Sequence, residues 1–305
     1  MPRAVILLFA LLALLSACAT SAPPSSPGSS PIHAVQEARR VSEEALLQDL
    51  ATADLVLLGE QHDNPHHHRL QARVIDGLVA RDRAPAVVME MLNEDLQAAV
   101  DKARAEQPEN VDHLAAMVDW EASGWPAWSM YRPILAAAYR HDLPIIAGNL
   151  SRGVARAIAM QDENALSKVR RRELGIDRVL SAADRAELEQ IIRDSHCNLL
   201  PEHHMGGMVT AQQARDGALA RAAIDAAREL DRPIVVVTGN GHARTDVGIP
   251  RVLAVLAPEL RVISLSFQGR QHAEPNAPYD YVWLTPSVAR DDPCAALRER
   301  FQGSE

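Results

Sequence analysis

Residues 54–68 read DLVLLGEQHDNPHHH, and the fold prediction rests on this stretch. Its apolar run ends at Gly59, which predicts a short buried strand over residues 54–58. Asn64 followed by Pro65 is typical of a helix start, because asparagine caps the first turn and proline fits its first position. The polar residues 60–63 therefore connect the carboxyl end of a strand to a helix. Ligands bind at this edge of open α/β sheets, so we expect a site there.

Further apolar runs predict five more strands, separated by helical patterns, at residues 86–91, 143–149, 234–238, 262–267 and 281–284. This alternation indicates an α/β fold with a central, mostly parallel sheet flanked by helices. Residues 33–50 indicate a helix or a hairpin before the first of these strands. The helical segments at about 93–142 and 151–230 are too long for simple crossovers. We therefore expect an inserted helical cap over the carboxyl ends of the strands.

The composition excludes some classes of protein and fits a sizeable core. The chain has 305 residues, of which 47% are hydrophobic, and we expect residues 33–305 to form a single α/β domain. The net charge of −9 and the lack of a basic stripe argue against nucleic acid as a partner.

The N-terminus predicts export and a lipid anchor. Arg3 precedes an apolar stretch at residues 4–15 that is too short to span a bilayer. Residues 15–18 read LSAC and resemble the end of a bacterial lipoprotein signal peptide (residues 1–17), after which Cys18 receives the lipid, such as palmitate. The alternative is an ordinary secretory signal. The alanine at position 19 resembles the residue found after the lipidated cysteine in lipoproteins that Gram-negative cells sort to the outer membrane. We therefore expect an outer-membrane lipoprotein that faces the periplasm, with residues 18–32 as a flexible tether.

Export also bears on the other two cysteines. With Cys18 lipidated, the folded part of the chain retains Cys197 and Cys294. The periplasm is oxidising and permits a disulfide between them, which we favour over two free buried thiols.

A short pattern recurs at two predicted strand ends, as Gly59-x-x-His62 and Gly239-x-x-His242. Glu90 and Asn149 end two other strands, and the carboxyl ends of parallel strands meet at one edge. Two imidazoles with a carboxylate suit a divalent metal that keeps one open position. Without a metal, a histidine polarised by a carboxylate can take a proton from water. The alternative is that these histidines only hold the loops together. The predicted catalytic residues are His62, Glu90, His242 and Glu60.

Other histidines and a methionine are candidate ligands. Of the three histidines in the first helical turn, spacing favours His66 beside the rim, which gives a metal set of His62, His66 and His242; we expect the other two, residues 67 and 68, to be solvated. His203, His204 and Met205 begin the cap helix and are of haem-ligand types, although Met205 also suits plain core packing.

Aromatic residues are concentrated in one segment of a chain that has few of them. Trp120, Trp125, Trp128 and Tyr131 lie within twelve residues. They suit either a flat apolar ligand site, in which a tyrosinate can bind ferric haem, or an anchor between the cap and the sheet.

The sequence resembles the ChaN-like lipoproteins of the haem-binding uptake and Tiki superfamily. The resemblance lies in residues 57–68 (LLGEQHDNPHHH), 89–91 (MEM), 125–133, 149, 196–197, 212–216 and 239–244 (GNGHAR). It implies an α/β fold with a helical cap, a role in iron or haem uptake, and haem binding by a homodimer that shares haems. It also implies a tyrosine ligand to the iron, and Tyr131 lies in the resembling segment.

The same superfamily implies a competing function. Tiki-type members are regarded as metal-dependent peptidases, and the erythromycin-esterase-like relatives are hydrolases with two histidines and a glutamate. His62, Glu90 and His242 match that pattern, with Glu60 before the first histidine. The alternative to a haem-binding outer-membrane lipoprotein is therefore a periplasmic hydrolase, peptidase-like or esterase-like, that uses this His/Glu/His site.

Overall fold

The computed structural model describes residues 32–176, 180–272, 277–289, 292, 294, 295 and 298. The predicted signal peptide, Cys18 and nearly all of the predicted tether lie outside these described residues. Within them, no helix combines the length and the apolar character that crossing a membrane requires.

The described residues form eight strands, eleven α-helices and three short 3-10 helices, and the N-terminal segment contains both a hairpin and a helix. In chain order the elements are β1 (Ile32–Ala34), β2 (Arg39–Val41), α1 (Glu43–Leu50), β3 (Leu55–Glu60), α2 (Pro65–Val79), β4 (Ala86–Asn93), α3 (Gln97–Glu106), α4 (Val111–Met117), α5 (Trp128–Arg140), β5 (Ile145–Asn149), α6 (Arg152–Ala159), α7 (Lys168–Glu173), α8 (Ala182–Ser195), α9 (Glu202–Leu230), β6 (Ile234–Gly239), α10 (Asn240–Ala243), α11 (Ile249–Leu256), β7 (Val262–Gly269) and β8 (Tyr281–Thr285).

The strands form one sheet in the order β2-β1-β8-β7-β3-β6-β4-β5. The strand β1 runs antiparallel to β2 and β8, and every other pair is parallel, which confirms the predicted α/β class. At the centre, Gly59 pairs with Thr238 and Glu60 with Gly239. The two Gly-x-x-His loops therefore leave the sheet side by side.

Successive side chains of the central strands point to opposite faces of the sheet, so a hydrophobic core forms on each face. In β3, Leu55 and Leu57 face one layer of helices, while Val56 and Leu58 face the other. The first layer comprises the second half of α9 and α11, and the opposite layer comprises α1, α2 and parts of α3–α5. Asn64 caps α2 by accepting a hydrogen bond from the backbone N–H of His66, with Pro65 at the first helical position as predicted.

The cap is smaller than the sequence predicts. Helix α5 buries Ile134 and Leu135 in the same core as Val74 and Ile75 of α2, so residues 97–140 mostly cover a face of the sheet. Helix α5 lies there because it has a broad apolar stripe, and the apolar face of the sheet and α2 can bury that stripe. The polar edge at the strand ends could not bury it. The cap over the strand ends consists of α6–α8 and the first half of α9, held by two small apolar clusters.

A disulfide joins Cys197 to Cys294, as the export argument predicts, with the two Cα atoms 5.7 Å apart. Cys197 lies in the turn between α8 and α9. The bond therefore connects the cap to the C-terminal part of the chain.

We expect Cys294→Ser to lower the free energy of unfolding by about 2–4 kcal/mol, because the cross-link closes a long loop and restricts the unfolded chain. Denaturant titration of the oxidised proteins measures the difference, and a reductant should erase it. Two free thiols in the purified, unreduced protein would contradict the pairing.

Candidate functional site

A cleft of about 720 Å³ lies between the cap and the carboxyl ends of β3, β6 and β7. Its apolar lining includes residues of α8 and α9, namely Leu188, Ile191, Ile192 and Met208, and Phe267 of β7. Its polar lining includes the two Gly-x-x-His loops. A second cavity of about 750 Å³ lies between α3, the start of β5 and the end of α9, and no histidine or cysteine lines it. The first cavity is therefore the candidate site.

His62 is oriented by a buried carboxylate. Its Nδ1 lies 2.9 Å from Oε1 of Glu60, which is 2% exposed, while the His62 side chain is 39% exposed. Burial opposes the charged form of Glu60, but the imidazoles of His62 and His68 outweigh it and lower its pKa to about 2. Burial likewise lowers the pKa of His62, and the contact with Glu60 reverses this, so its pKa is raised. Nδ1–H thus donates to Glu60, which leaves Nε2 for a ligand.

The far side of Glu60 is closed by two buried rings. Tyr131 is 0% exposed and donates its hydroxyl to Oε1 of Glu60 at 2.7 Å. Burial and the Glu60 charge raise the pKa of Tyr131 far above its ordinary value. His68 donates Nε2–H to the carbonyl of His62, and its Nδ1 lies 3.2 Å from Oε2 of Glu60. Glu60 is therefore a buried anchor for three side chains and has no exposed surface for a substrate.

His242 lies between two buried carboxylates. Its Nδ1 is 2.6 Å from Oδ1 of Asp216, and its Nε2 is 3.3 Å from Oε1 of Glu90. Both ring nitrogens therefore act as donors. Burial lowers the pKa of His242, but the charges of Glu90 and Asp216 outweigh it and raise that pKa to about 10.

The two carboxylates differ in their other contacts. The second oxygen of Glu90 accepts hydrogen bonds from the Thr238 hydroxyl at 2.8 Å and from the Gly239 N–H at 2.7 Å. Burial opposes ionisation of Glu90, yet the neighbouring His242 charge holds its pKa well below its usual range. Asp216 lacks such backbone support, and burial raises its pKa. Asn149 completes the group by donating from its side-chain amide to the Glu90 carbonyl.

Gly239 lies between the His62 ring and the Glu90 carboxylate, and its missing side chain lets the two approach each other. A Cβ on Gly239 would lie 2.9 Å from His62 Nε2 and 3.7 Å from Glu90 Oε2. His62, Glu90 and His242 therefore share one rim, as their positions at strand ends indicate, and only glycine leaves room for the His62 ring. Their catalytic roles stay a prediction.

We expect Gly239→Ala to displace the His62 ring and to lower the affinity for any ligand bound by Nε2 about tenfold. Loss of a single group that supports a metal ligand typically has an effect of this size. Gly241→Ala, in the same loop, is the matched control, because a Cβ there meets nothing within 4 Å. Ligand titration of both variants measures the effect. Equal losses in the two would show that the contact with His62 is irrelevant.

The histidines of the first α2 turn are placed differently from the sequence prediction. His67 and His68 are 0% exposed, so the expectation that they are solvated is wrong. His67 accepts the Gln61 N–H at Nδ1 and reaches the Thr285 hydroxyl with Nε2, and burial lowers its pKa to about 3. His66 is half-buried and does not line the cleft. The predicted set of His62, His66 and His242 is therefore not assembled.

Among the described residues, no three or more His, Cys, Asp or Glu side chains are arranged to hold a metal ion. The physical reason is that the carboxylates and imidazoles of the rim already bind one another in pairs.

The other predicted haem ligands lie outside the cleft lining. Met205 is 2% exposed and packs in an apolar cluster of the cap, which is the plain core role. His203 is exposed, and its ring lies 4.1 Å from that of His204. Tyr131 is buried behind Glu60, in contact with Trp120 at 5.1 Å between ring centroids.

The aromatic residues 120–131 therefore form a wall behind the site. Trp120 also contacts Trp128, and Trp125 packs edge-on against His62 with the ring centroids 5.0 Å apart. Their arrangement fits the anchoring alternative, since none of them lines the cleft.

The geometry does not favour His242 or Glu90 as the proton acceptor of the hydrolase interpretation, although His62, which is polarised by Glu60, keeps the arrangement of a general base. That interpretation needs a group that takes a proton from water. His242 has both nitrogens bound to carboxylates and a pKa of about 10, and the pKa of Glu90 is held low. The contacts and the directions of these pKa shifts therefore favour a protonated His242 and an ionised Glu90, which form an ion pair rather than a general base.

Gln212, His196 and Tyr279 line the cleft, and Asp216 is buried against His242. The stretches 196–197 and 212–216 carry the family resemblance, but the sequence analysis gave none of these four residues a role in the site. Gln212 and Asp216 are four residues apart on α9 and so lie on one face; both contact His242. That spacing is a signal that was available in the sequence.

Comparison with known proteins gives one family and one close fold. The model of the family described as "Haem-binding uptake, Tiki superfamily, ChaN" matches residues 46–253. A solved structure described as "Cofacial heme binding to ChaN of Campylobacter jejuni" is 22% identical and has a TM-score of 0.68, covering 83% of this chain and 95% of that chain. This likeness shows that the fold is shared. No protein with a curated description matches the sequence.

Two other solved structures are more distant. The type III effector HopBA1 is 14% identical with a TM-score of 0.45, covering 80% of this chain and 92% of that chain. An open-conformation mutant of the erythromycin esterase EreC is 16% identical with a TM-score of 0.44, covering 90% of this chain and 86% of that chain. Likenesses at this level carry no argument about function.

Proposed function

Because this chain belongs to the ChaN family of haem-binding uptake proteins in the Tiki superfamily, we propose that it binds haem in the cleft between cap and sheet, with His62 Nε2 as an iron ligand. The single observation that carries the assignment is the orientation of His62. Its Nδ1 is fixed by buried Glu60, and its exposed part lines the cleft. Histidines that bind metals are usually oriented in this way by a carboxylate.

The cleft residues fit a haem in size and chemistry. A volume of about 720 Å³ is within the range of cofactor pockets, which are mostly apolar with a few placed polar groups. Leu188, Ile191 and Ile192 offer an apolar surface for the porphyrin, and His62 offers a nitrogen ligand. Haem, when bound, supplies an iron centre whose properties its axial ligands set.

The tyrosine ligand implied by the family resemblance is not favoured here. Tyr131 has no exposed surface and donates its hydroxyl to Glu60. Tyr279 does line the cleft, but its hydroxyl donates to the Asn240 carbonyl at 3.0 Å. Among the described residues, no hydrogen-bond partner occupies Nε2 of His62.

Titration of purified protein with haemin tests the proposal. We expect saturable binding with a shifted Soret band, and light scattering of the loaded sample reports whether two chains combine in the homodimer that the resemblance implies. A tyrosinate spectrum that Tyr279→Phe abolishes would transfer the ligand role from His62. The absence of saturable binding would refute the function.

The cellular part of the proposal is a lipoprotein of the outer membrane that takes part in haem or iron uptake from the periplasmic side. Its support is the LSAC pattern that ends at Cys18 and the Ser/Pro-rich segment that follows. A tether of this kind would let the haem-binding domain reach partners away from the membrane surface.

We expect Cys18→Ala to abolish membrane retention, because its thiol is the attachment point of the lipid. Labelling of cells with a fatty-acid analogue and separation of membranes measure this. Equal label in the variant and the wild type would contradict the anchor.

A further inference from the structure

Arg244 brings a permanent positive charge to the candidate cleft. It follows His242 of the second Gly-x-x-His loop by two residues and lines the cleft. Among the described residues of the lining it is the sole arginine or lysine. His242 is also cationic, but both of its ring nitrogens are engaged by carboxylates. An arginine stays charged in proteins and has several N–H donors, so Arg244 can bind an anionic group of a ligand.

Asp246 fixes the orientation of the Arg244 guanidinium. Nε of Arg244 donates to Oδ1 of Asp246 at 3.0 Å, and Nη2 donates to Oδ2 at 2.7 Å. Asp246 is itself held, because its Oδ1 also accepts the Val247 N–H at 2.8 Å. A contact with two parallel hydrogen bonds sets the plane of the guanidinium. The Arg244 side chain is 13% exposed, so it is positioned before a ligand binds and loses little entropy on binding one.

The remaining contacts of Arg244 leave capacity for another acceptor. Its Nη2 also donates to Oε1 of Glu187 in α8 at 2.6 Å, so two carboxylates share that atom. Within the described part of the chain, no hydrogen-bond partner occupies Nη1 of Arg244. The Glu187 side chain is 47% exposed, and an exposed ion pair contributes little stability because water readily replaces the contact. A ligand carboxylate can therefore bind Nη1 or take the place of Glu187.

The contact with Glu187 also attaches the cap to the loop that follows β6. Attachment of the cap is therefore the alternative role for Arg244. Arg251 of α11 makes a comparable contact with α8, since its Nε lies 3.9 Å from Oδ2 of Asp184, but Arg251 does not line the cleft. The two arginines thus differ in access to the cleft and resemble each other in their contact with the cap.

We propose that Arg244 binds a propionate carboxylate of the porphyrin and makes the cleft selective for porphyrins with free carboxylates; this inference rests on the proposed haem site. The propionates lie at the edge of the porphyrin, so the contact requires no particular axial ligand to iron. A carboxylate without a cationic partner would be costly to bury in a cleft that Glu60 already lines. Arg244 removes that cost, while the apolar residues of α8 cover the ring.

Metal-free protoporphyrin IX and its dimethyl ester test the proposal, because neither contains iron and only the first has free carboxylates. We expect the wild type to bind the free acid about tenfold more tightly than the ester, the size of effect typical of a hydrogen bond to a charged group. Arg244→Gln should lose this preference through weaker binding of the free acid, with binding of the ester nearly unchanged. Porphyrin fluorescence measures each affinity, and haemin with its dimethyl ester should show the same difference.

Two further variants separate carboxylate binding from attachment of the cap. Glu187→Gln removes a competing carboxylate, so the free acid should bind about two- to fivefold more tightly. If the ion pair only attached the cap, Glu187→Gln and Arg244→Gln would change the affinity in the same direction and for both porphyrins. Arg251→Gln should keep the preference of the wild type.

The proposal is overturned if the wild type binds free acid and ester equally, if Arg244→Gln keeps the preference, or if Glu187→Gln weakens binding as Arg244→Gln does. These outcomes leave haem binding at His62 intact, since titration of the wild type and His62→Ala with haemin measures it separately. A wild type that binds neither haemin nor protoporphyrin overturns both proposals.

Discussion

His62→Ala is expected to weaken haem binding by at least about 100-fold. Loss of a group that only orients a metal ligand lowers the metal affinity by about 10- to 100-fold. Loss of the ligand itself should lower the affinity at least as much. Haemin titration followed in the Soret region measures the change. His66→Ala is the matched control, because His66 lies on the same loop and helix start but does not line the cleft.

The protonation of His62 gives this result a dependence on pH. Although burial lowers its pKa, the Glu60 contact raises it above the ordinary 6.5. Iron must displace the proton from Nε2, so haem affinity should rise as pH increases above that value. An affinity that falls over this range, or an unchanged affinity in His62→Ala, would contradict the assignment.

Glu90→Ala is expected to destabilise the fold by about 3–5 kcal/mol, because removal of one partner leaves the others of a buried ionic group uncompensated. Glu90 is 2% exposed and accepts from Thr238 and Gly239 as well as facing His242. Glu90→Gln keeps the volume and is the control for cavity formation. Denaturant titration at neutral pH measures both variants.

The same network predicts non-additive mutations and a defined pH range. His242→Gln with Glu90→Gln should cost little more than either change alone, since both remove one buried unit. The pKa of His242 is raised to about 10, so its contribution to stability is fully present below the unfolded value of 6.5 and is lost as pH rises to about 10. His242→Gln should lack this decline. Additive losses, or an identical decline in His242→Gln, would show that the network does not act as a unit.

The strands and the rim could be predicted because the relevant signals are local. An aliphatic run that ends in glycine identifies each central strand, and parallel pairing then places His62, Glu90 and His242 at one edge. The start of α2 could be predicted in the same way from Asn64 and Pro65, because their roles depend only on local backbone geometry.

The burial of individual side chains could not be predicted, because it depends on distant partners. His67 is held by Thr285, which lies 218 residues away in the sequence. The Tyr131 hydroxyl faces Glu60 only because α5 packs on α2, and Asp216 meets His242 only through the path of the 29-residue helix α9. Each of these contacts follows from the packing of elements, which a local pattern does not specify.

The anomalous diffraction of iron tests the central claim most directly. Crystals of the haemin complex, measured at the iron absorption edge, locate the iron atom without assuming which residue binds it. The account predicts one strong anomalous peak in the cleft between cap and sheet, bonded to Nε2 of His62. An iron bound to a tyrosine, or a peak outside that cleft, would contradict it.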